Sequence, residues 1–160
     1  MSGTGKSTVI EKLSELGYAA VDLDHPDWSE YDEEGDWIWR EDRVQKLLTD
    51  FDGDILFVSG CATNQVKFRS MFDYIILLSA PREVIVERLR SRTNNPYGKR
   101  PEELAEVFGY IETVEPFLRR AAHCEIVTTV PVDEVVSKIL RAVGNRLVVR
   151  AGGSSLDACA

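Results

Sequence analysis

The sequence is poor in cysteine and histidine, and it lacks any long apolar run. It has three cysteines and two histidines in 160 residues, and no cysteine pair has the C-x-x-C spacing of a zinc or redox site. This scarcity predicts free thiols in a reducing cytoplasm and argues against a disulfide scaffold. No apolar run approaches the roughly 20 residues that a membrane-spanning helix needs, so we expect no membrane partner.

Positive charge is also in short supply. The chain has 19 Lys and Arg against 27 Asp and Glu, which gives a net charge of −8. An acidic surface repels phosphate backbones, so we expect no nucleic-acid partner. An apolar fraction of 44% in a chain of single-domain length predicts a globular core without disulfides or metals. One basic cluster opposes the trend: Arg88, Arg92, Lys99 and Arg100.

The first residues contain the sequence GTGKST at positions 3–8. It is the second half of the motif G-x-x-x-x-G-K-[ST], which wraps backbone N–H groups around phosphates at a helix N-terminus. Lysine in this motif bridges the β- and γ-phosphates, and the following hydroxyl ligates Mg²⁺. The motif predicts ATP and Mg²⁺ as cofactors, with Thr8 beginning the helix; the alternative is a glycine-rich helix cap. The predicted cofactor-binding residues are Gly3, Thr4, Gly5, Lys6, Ser7 and Thr8.

The motif is incomplete at its start. Its first glycine would lie before Met1, and so would the strand that normally leads into such a loop. We therefore expect the natural chain to extend upstream by that glycine and a strand of about 5–6 residues. Without this strand the sheet would have a gap, with unpaired backbone groups on both sides.

Short apolar segments alternate with helical patterns along the rest of the chain. The runs 55–59 and 74–78 are apolar almost throughout, which is typical of strands covered on both faces of a parallel sheet. This alternation predicts a three-layer α/β fold with a parallel sheet whose first strand is missing. Further strands are predicted at 19–24 and 125–128, and a loop or short helical excursion at 25–39. Helices are predicted after the phosphate loop, over 41–51, after Pro81, over 102–122 with a break near Gly109, and over 132–143.

The composition changes near residue 144. Residues 152–155 are Gly-Gly-Ser-Ser, which is typical of a linker, and no helical period follows. We therefore expect one domain over 1–143 and a flexible tail over 144–160. The alternative for 147–149 is an edge strand.

Four features in order resemble the small P-loop kinases, the group of shikimate kinases and nucleoside monophosphate kinases. They are the GTGKST loop, the Asp22-Leu23-Asp24 strand end, the Ser59-Gly60 strand end and the basic segment 88–100, where the family has its lid. The resemblance covers 1–143 and implies a P-loop NTPase fold. It also implies transfer of the γ-phosphoryl group of Mg-ATP to a hydroxyl or phosphate of a small metabolite. Larger AAA-type ATPases are less similar, because the chain is too short for their added helical domain.

The chain departs from the family pattern at two places. Residues 61–65 are Cys-Ala-Thr-Asn-Gln instead of a run of glycines, so the resemblance does not extend to shikimate as substrate. No carboxylate ends the strand at 55–59, which leaves Asp22 or Asp24 to serve the metal. The resemblance also leaves the oligomeric state open.

The resemblance and the residue types together assign candidate roles. The catalytic candidates are Lys6, Asp24, Arg88 and Arg92; the acceptor-binding candidates are Asp24, Trp39, Arg40, Gly60 and Asn64; and the metal candidates are Ser7 and Asp22. Each has a structural alternative: turn chemistry for the aspartates, a small core for the tryptophan, surface ion pairs for Arg40, a helix cap for Asn64 or Thr63, and a solvated helix end for the basic cluster.

Two other functions remain open from the sequence. One is a nucleotide-binding or regulatory module without kinase activity, which the incomplete motif favours. The other is a P-loop nuclease-like or nucleic-acid-processing ATPase, against which the acidic balance and the single domain argue.

Overall fold

The computed structural model describes residues 1–93 and 95–151, with side chains through Gly144. The described chain divides into two compact units. One comprises Lys6–Asp73, and the other comprises Met1–Gly5 with the residues from Tyr74 onward. Each unit contains one parallel strand pair together with helices, so the predicted α/β class with parallel strands is confirmed. The strand expected before Met1 stays a prediction.

The unit Lys6–Asp73 contains a parallel pair, a hairpin and three helical segments. Strands Ala19–Asp22 and Leu56–Ser59 are parallel, with Asp22 opposite Ser59 at their carboxyl ends. The elements in order are α1 (Lys6–Glu15), β1 (Ala19–Asp22), β2 (Ser29–Tyr31), β3 (Trp37–Trp39), α2 (Glu41–Asp50), β4 (Leu56–Ser59) and a 3-10 helix (Thr63–Met71).

Helix α1 begins earlier than predicted. It starts at Lys6, so the prediction that Thr8 begins the helix is wrong. Its apolar face buries Val9, Ile10 and Leu13, as the periodicity predicts. The fourth residue of the predicted face, Leu16, is 54% exposed because the helix has already ended at Glu15.

A β-hairpin replaces the loop or helical excursion predicted over 25–39. Strands β2 and β3 are antiparallel, with Ser29 opposite Trp39. Oδ1 of Asp32 accepts hydrogen bonds from the N–H groups of Glu34 and Asp36, which closes the turn between the strands. One core cluster of this unit consists of Leu23, Trp39, Val44, Ala62 and Phe68.

The second unit contains one parallel strand pair and four helices. The helices Pro101–Thr113 and Glu115–Ala121 meet at Val114, so the predicted break near Gly109 is displaced toward Pro116. The core includes Ile85, Leu89 and Val107. The elements in order are β5 (Ile76–Ser79), α3 (Arg82–Ser91), α4 (Pro101–Thr113), α5 (Glu115–Ala121), β6 (Cys124–Val127) and α6 (Val132–Ala151).

Helix α6 runs past its predicted end at Val143 to Ala151. The alternative of an edge strand at 147–149 is therefore wrong, because that backbone is helical. Residues 152–160 of the predicted tail lie outside the described residues, and the division of the chain at 143 stays a prediction. Within the described ranges, no helix combines the length and apolar character that crossing a membrane requires.

Candidate functional site

An acidic turn follows β1. Asp22 ends the strand, and Asp24 lies two residues beyond it. The N–H of Leu23 donates to the carbonyl oxygen of Ser59 at 2.7 Å, which extends the β1–β4 pairing by one residue. The N–H of Asp24 donates to Oδ1 of Asp22 at 3.1 Å, and the Leu23 side chain is fully buried. These contacts fix both carboxylates at the carboxyl edge of the strand pair, where open α/β sheets bind ligands.

The first turn of α1 meets this acidic turn. The Ser7 hydroxyl donates to Oδ2 of Asp22 at 2.6 Å, and the Ser59 hydroxyl donates to Oδ1 of Asp22 at 3.1 Å. Nζ of Lys6 lies 3.4 Å from Oδ2 of Asp24. The structure therefore brings the two metal candidates together, and likewise the catalytic candidates Lys6 and Asp24.

The electrostatics of Lys6 favour its charged form. Desolvation of the largely buried ammonium lowers its pKa, but the charge of Asp24, followed by those of Cys61 and Asp22, outweighs that effect. The net result is a pKa of Lys6 raised above its ordinary value of 10.5. Lys6 is thus an ammonium group at neutral pH, as phosphate binding requires.

The Ser7–Asp22 pair fits Mg²⁺. A hydroxyl oxygen and a carboxylate oxygen are hard ligands, and Mg²⁺ is commonly held by one or two such groups plus water and substrate phosphates. Within the described residues, no three His, Cys, Asp or Glu side chains form a group that could hold a metal alone. The donor set therefore matches a metal that arrives with a nucleotide.

The other half of the GTGKST motif, Gly3–Gly5, is fixed within the second unit. Gly3 and Gly5 have φ of +80° and +89°, a region that L side chains rarely adopt. A Cβ atom on Gly3 would lie 3.0 Å from Cγ2 of Ile85, so a side chain is excluded by contact as well. Thr4 is buried, and its hydroxyl donates to the carbonyl oxygen of Met1 at 3.1 Å.

Arg88 lies against this loop. Its Nη1 donates to the carbonyl oxygen of Gly3 at 3.2 Å and to Oγ1 of Thr128 at 2.8 Å. Its Nη2 donates to the carbonyl oxygen of Thr128. The alternative of a solvated helix end therefore does not describe Arg88.

The Arg92 side chain contacts the segment that follows α3. Its Nη2 donates to the carbonyl oxygen of Tyr97, and its Nε is buried with no hydrogen-bond partner among the described residues. Burial lowers the pKa of the Arg92 guanidinium. Its proposed action on phosphate oxygens stays a prediction.

Trp39 and Arg40 make the contacts that their structural alternatives predict, and acceptor binding by Arg40 stays a prediction. The Trp39 side chain is only 4% exposed and belongs to the core. Its indole packs on Gly60, where a Cβ atom would lie 2.9 Å from Nε1. Arg40 pairs with Glu30 at 2.8 Å rather than with the neighbouring Glu41 or Asp42.

Asn64 ties β3 to the 3-10 helix. Its Oδ1 accepts the N–H of Trp39 at 2.9 Å, and its Nδ2 donates to the carbonyl oxygen of Trp39 at 2.9 Å. The 3-10 helix has Ala62 at its N-cap without a side-chain bond, so the capping role considered for Asn64 or Thr63 is wrong. Acceptor binding by Trp39, Asn64 or Gly60 stays a prediction.

Sequence reasoning missed Thr128, Ser59 and the backbone of Cys61. The Cys61 N–H donates to Oδ1 of Asp24 at 2.8 Å. A signal for Ser59 was available, because it ends the apolar run predicted as a strand at 55–59. Thr128 follows the last apolar strand and shows no local pattern of its own.

Comparison with known proteins identifies the fold and the family. A solved structure of shikimate kinase from Acinetobacter baumannii in complex with shikimate has a TM-score of 0.64 and 24% sequence identity, covering 90% of this chain and 89% of that chain. The likeness shows that the chain has a shikimate kinase-like P-loop fold. The AAA domain family matches residues 1–109, so the chain belongs to that family, and the predicted relation to small P-loop kinases is confirmed. No curated protein sequence matches the chain.

Proposed function

We propose that the chain is a small-molecule kinase that transfers the γ-phosphoryl group of Mg-ATP to a hydroxyl or phosphate of a small metabolite. The observation that carries the proposal is the meeting of Lys6 with Asp24 and of Ser7 with Asp22. A lysine and a hydroxyl of a phosphate loop thus face two carboxylates in a single turn. A site that only binds nucleotide needs no second carboxylate beside the lysine.

In this proposal the loop and α1 bind the nucleotide. The ammonium of Lys6 contacts the β- and γ-phosphates, and the N-terminus of α1 adds the positive end of its dipole. Ser7 and Asp22 would hold Mg²⁺, which when bound neutralises phosphate charge. Arg88, beside the Gly3 carbonyl, adds a further positive charge next to the loop.

Asp24 is the proposed partner of the acceptor. Its Oδ1 is held by the Cys61 N–H, and its Oδ2 faces Lys6. When Lys6 turns to the phosphates, Oδ2 becomes able to accept the proton of an acceptor hydroxyl and to orient it for in-line attack. Arg92 is proposed to stabilise charge on the transferred group.

The experiment is ATP turnover against a panel of hydroxylated and phosphorylated metabolites. We expect ADP release that an acceptor stimulates and that Lys6→Ala abolishes. Lys12→Ala, on the same helix and paired with Glu15, is the matched control and should turn over like the wild type. Tight ATP binding without turnover under every acceptor would instead support a nucleotide-binding module. The cytoplasmic setting and the small-molecule partner remain parts of this proposal.

A further inference from the structure

Thr128 is buried directly after β6, with polar groups from three other segments around its hydroxyl. Thr128 is only 3% exposed. Oγ1 lies 2.9 Å from the carbonyl oxygen of Thr4 and 3.1 Å from that of Ser79, and its single proton serves these two acceptors. The same oxygen accepts a hydrogen bond from Nη1 of Arg88. One hydroxyl thus joins the loop, β5 and α3.

Arg88 also contacts the carbonyl group of Gly3, the residue before Thr4. Its Nη1 also donates to the carbonyl oxygen of Gly3, while its Nη2 holds the carbonyl oxygen of Thr128. Two consecutive carbonyls of the loop, those of Gly3 and Thr4, are therefore held from one side. Both contacts are made to carbonyl oxygens of the loop. Phosphates would instead bind the backbone N–H groups of the loop.

The held carbonyls determine where the loop N–H groups point. In a trans peptide the C=O and the following N–H point in opposite directions, and the described residues contain no cis peptide bond. Fixing the carbonyls of Gly3 and Thr4 toward Thr128 and Arg88 turns the N–H groups of Thr4 and Gly5 the opposite way. Such N–H groups are the ones that a phosphate loop presents to an anion.

We propose that Thr128 is a positioning residue of the phosphate loop. It acts with Arg88 to hold the loop carbonyls, and its hydroxyl thereby orients the N–H groups that bind the phosphates of the nucleotide. The inference rests on the proposed nucleotide-dependent function, but it concerns phosphate binding and not the identity of the acceptor.

The test replaces the hydroxyl while keeping the shape of the side chain. Thr128→Val cannot donate to Thr4 or accept from Arg88, whereas Thr128→Ser can do both. Thr129→Val makes the same chemical change at the next, exposed residue and is the matched control. Titration calorimetry with ATP and with inorganic tripolyphosphate measures binding without any acceptor, and urea unfolding reports the fold of each variant.

We expect Thr128→Val to bind both probes about tenfold more weakly, a change of about 1.4 kcal/mol. Thr128→Ser and Thr129→Val should stay within about threefold of the wild type. Arg88→Lys keeps the charge but cannot span two carbonyls, and it should also weaken tripolyphosphate binding even if Thr128→Val does not fold. Equal losses in Thr128→Val and Thr128→Ser, or unchanged tripolyphosphate binding in Arg88→Lys, would overturn the proposal.

The outcome separates this inference from the kinase proposal. Loss of phosphate binding in Thr128→Val, together with a wild type that binds ATP but never responds to an acceptor, would support the positioning role and contradict kinase activity. Unchanged binding in Thr128→Val, with acceptor-stimulated turnover intact, would refute the positioning role and leave the kinase proposal standing.

Discussion

The ammonium of Lys6 lies 3.4 Å from Oδ2 of Asp24. The residue expected to bind phosphate is therefore paired with the residue expected to receive the acceptor. A phosphate that attracts Lys6 competes directly with Asp24 for it. In the proposed mechanism, nucleotide binding and the readiness of Asp24 for an acceptor are consequently linked through one ion pair.

Asp24→Asn should separate chemistry from nucleotide binding. The amide keeps the size of the side chain but cannot accept a proton, so acceptor-stimulated turnover should fall by about 100-fold or more. ATP affinity should stay the same or improve, because Lys6 loses its competing partner. Steady-state kinetics and ATP titration measure the two effects. Asp27→Asn, an exposed neighbour, should change neither, and equal losses of turnover and affinity would show that Asp24 acts on the nucleotide.

Ser7→Ala should weaken the response to Mg²⁺. The substitution removes the hydroxyl that donates to Asp22, and with it one of the two oxygens proposed to hold the metal. We expect the Mg²⁺ concentration that half-saturates nucleotide binding to rise about tenfold, while Ser7→Thr stays near the wild type. Ser14→Ala, exposed on the same helix, is the control. Identical Mg²⁺ titrations for Ser7→Ala and the wild type would refute the assignment.

Asn64→Ala should lower the stability of the fold. It leaves the N–H and the carbonyl of Trp39 without their side-chain partner, which corresponds to about 1–3 kcal/mol in the free energy of unfolding. Urea unfolding checks the loss, with Gln65→Ala on the same 3-10 helix as the control. A normal unfolding midpoint combined with a raised KM for the acceptor would show instead that Asn64 binds substrate.

Glu125→Gln should reduce the acid sensitivity of the fold. Hydrogen bonds from Arg119 are the main reason why the pKa of Glu125 lies below its ordinary value of 4.5; burial opposes the shift, and Ser79 adds to it. A lowered carboxyl pKa contributes stability that is present above the unfolded-state value and is lost as pH falls through the folded-state value.

The wild type should therefore lose more stability than Glu125→Gln when the pH is lowered from about 6 to about 3. Urea midpoints at several pH values give the comparison. Glu112→Gln, which removes a longer and largely exposed pair with Arg82, should follow the wild-type pH dependence. The same change of urea midpoint with pH in the wild type and in Glu125→Gln would show that the Glu125–Arg119 pair does not determine how much stability is lost in acid.

Arg92→Ala should lower turnover much more than ATP affinity. Its guanidinium holds the carbonyl of Tyr97, in the segment expected to act as a lid. Loss of that contact and of the charge should slow transfer about tenfold or more, with ATP affinity changed less than threefold. Arg90→Ala, an exposed arginine in the last turn of α3, is the matched control. Comparable losses of turnover and of ATP affinity would show that Arg92 contributes to nucleotide binding.

Local sequence patterns predicted the elements of the fold that depend on residues close together in the chain. The GTGKST sequence and the spacing of Val9, Ile10 and Leu13 predict the loop and α1 because helix amphipathicity is visible over a few turns. The continuous apolar runs predict the parallel pairs for a similar reason. Asp22 and Asp24 could be placed because the end of a strand determines which side chains lie at the edge of the sheet.

The features that sequence reasoning missed depend on distant partners. The strand β3 has three residues and is held by Asn64, 25 positions away. The Trp39 side chain packs against Phe68 of the 3-10 helix, so the local sequence alone could not show whether it lines a substrate site or belongs to the core. The importance of Thr128 comes wholly from bonds to Thr4, Ser79 and Arg88, none of which a local pattern encodes.

The Thr128–Thr4 hydrogen bond spans 124 positions of the chain. The loop leaves the ribosome before β6, and the group that holds its carbonyls is synthesised 124 positions later. Closing so long a stretch of chain is entropically costly, and contacts of this kind form late in folding. We therefore expect a nascent chain that ends before β6 to carry the loop sequence without the hydroxyl proposed to orient it, so that the proposed nucleotide binding would arise only after synthesis has passed Thr128.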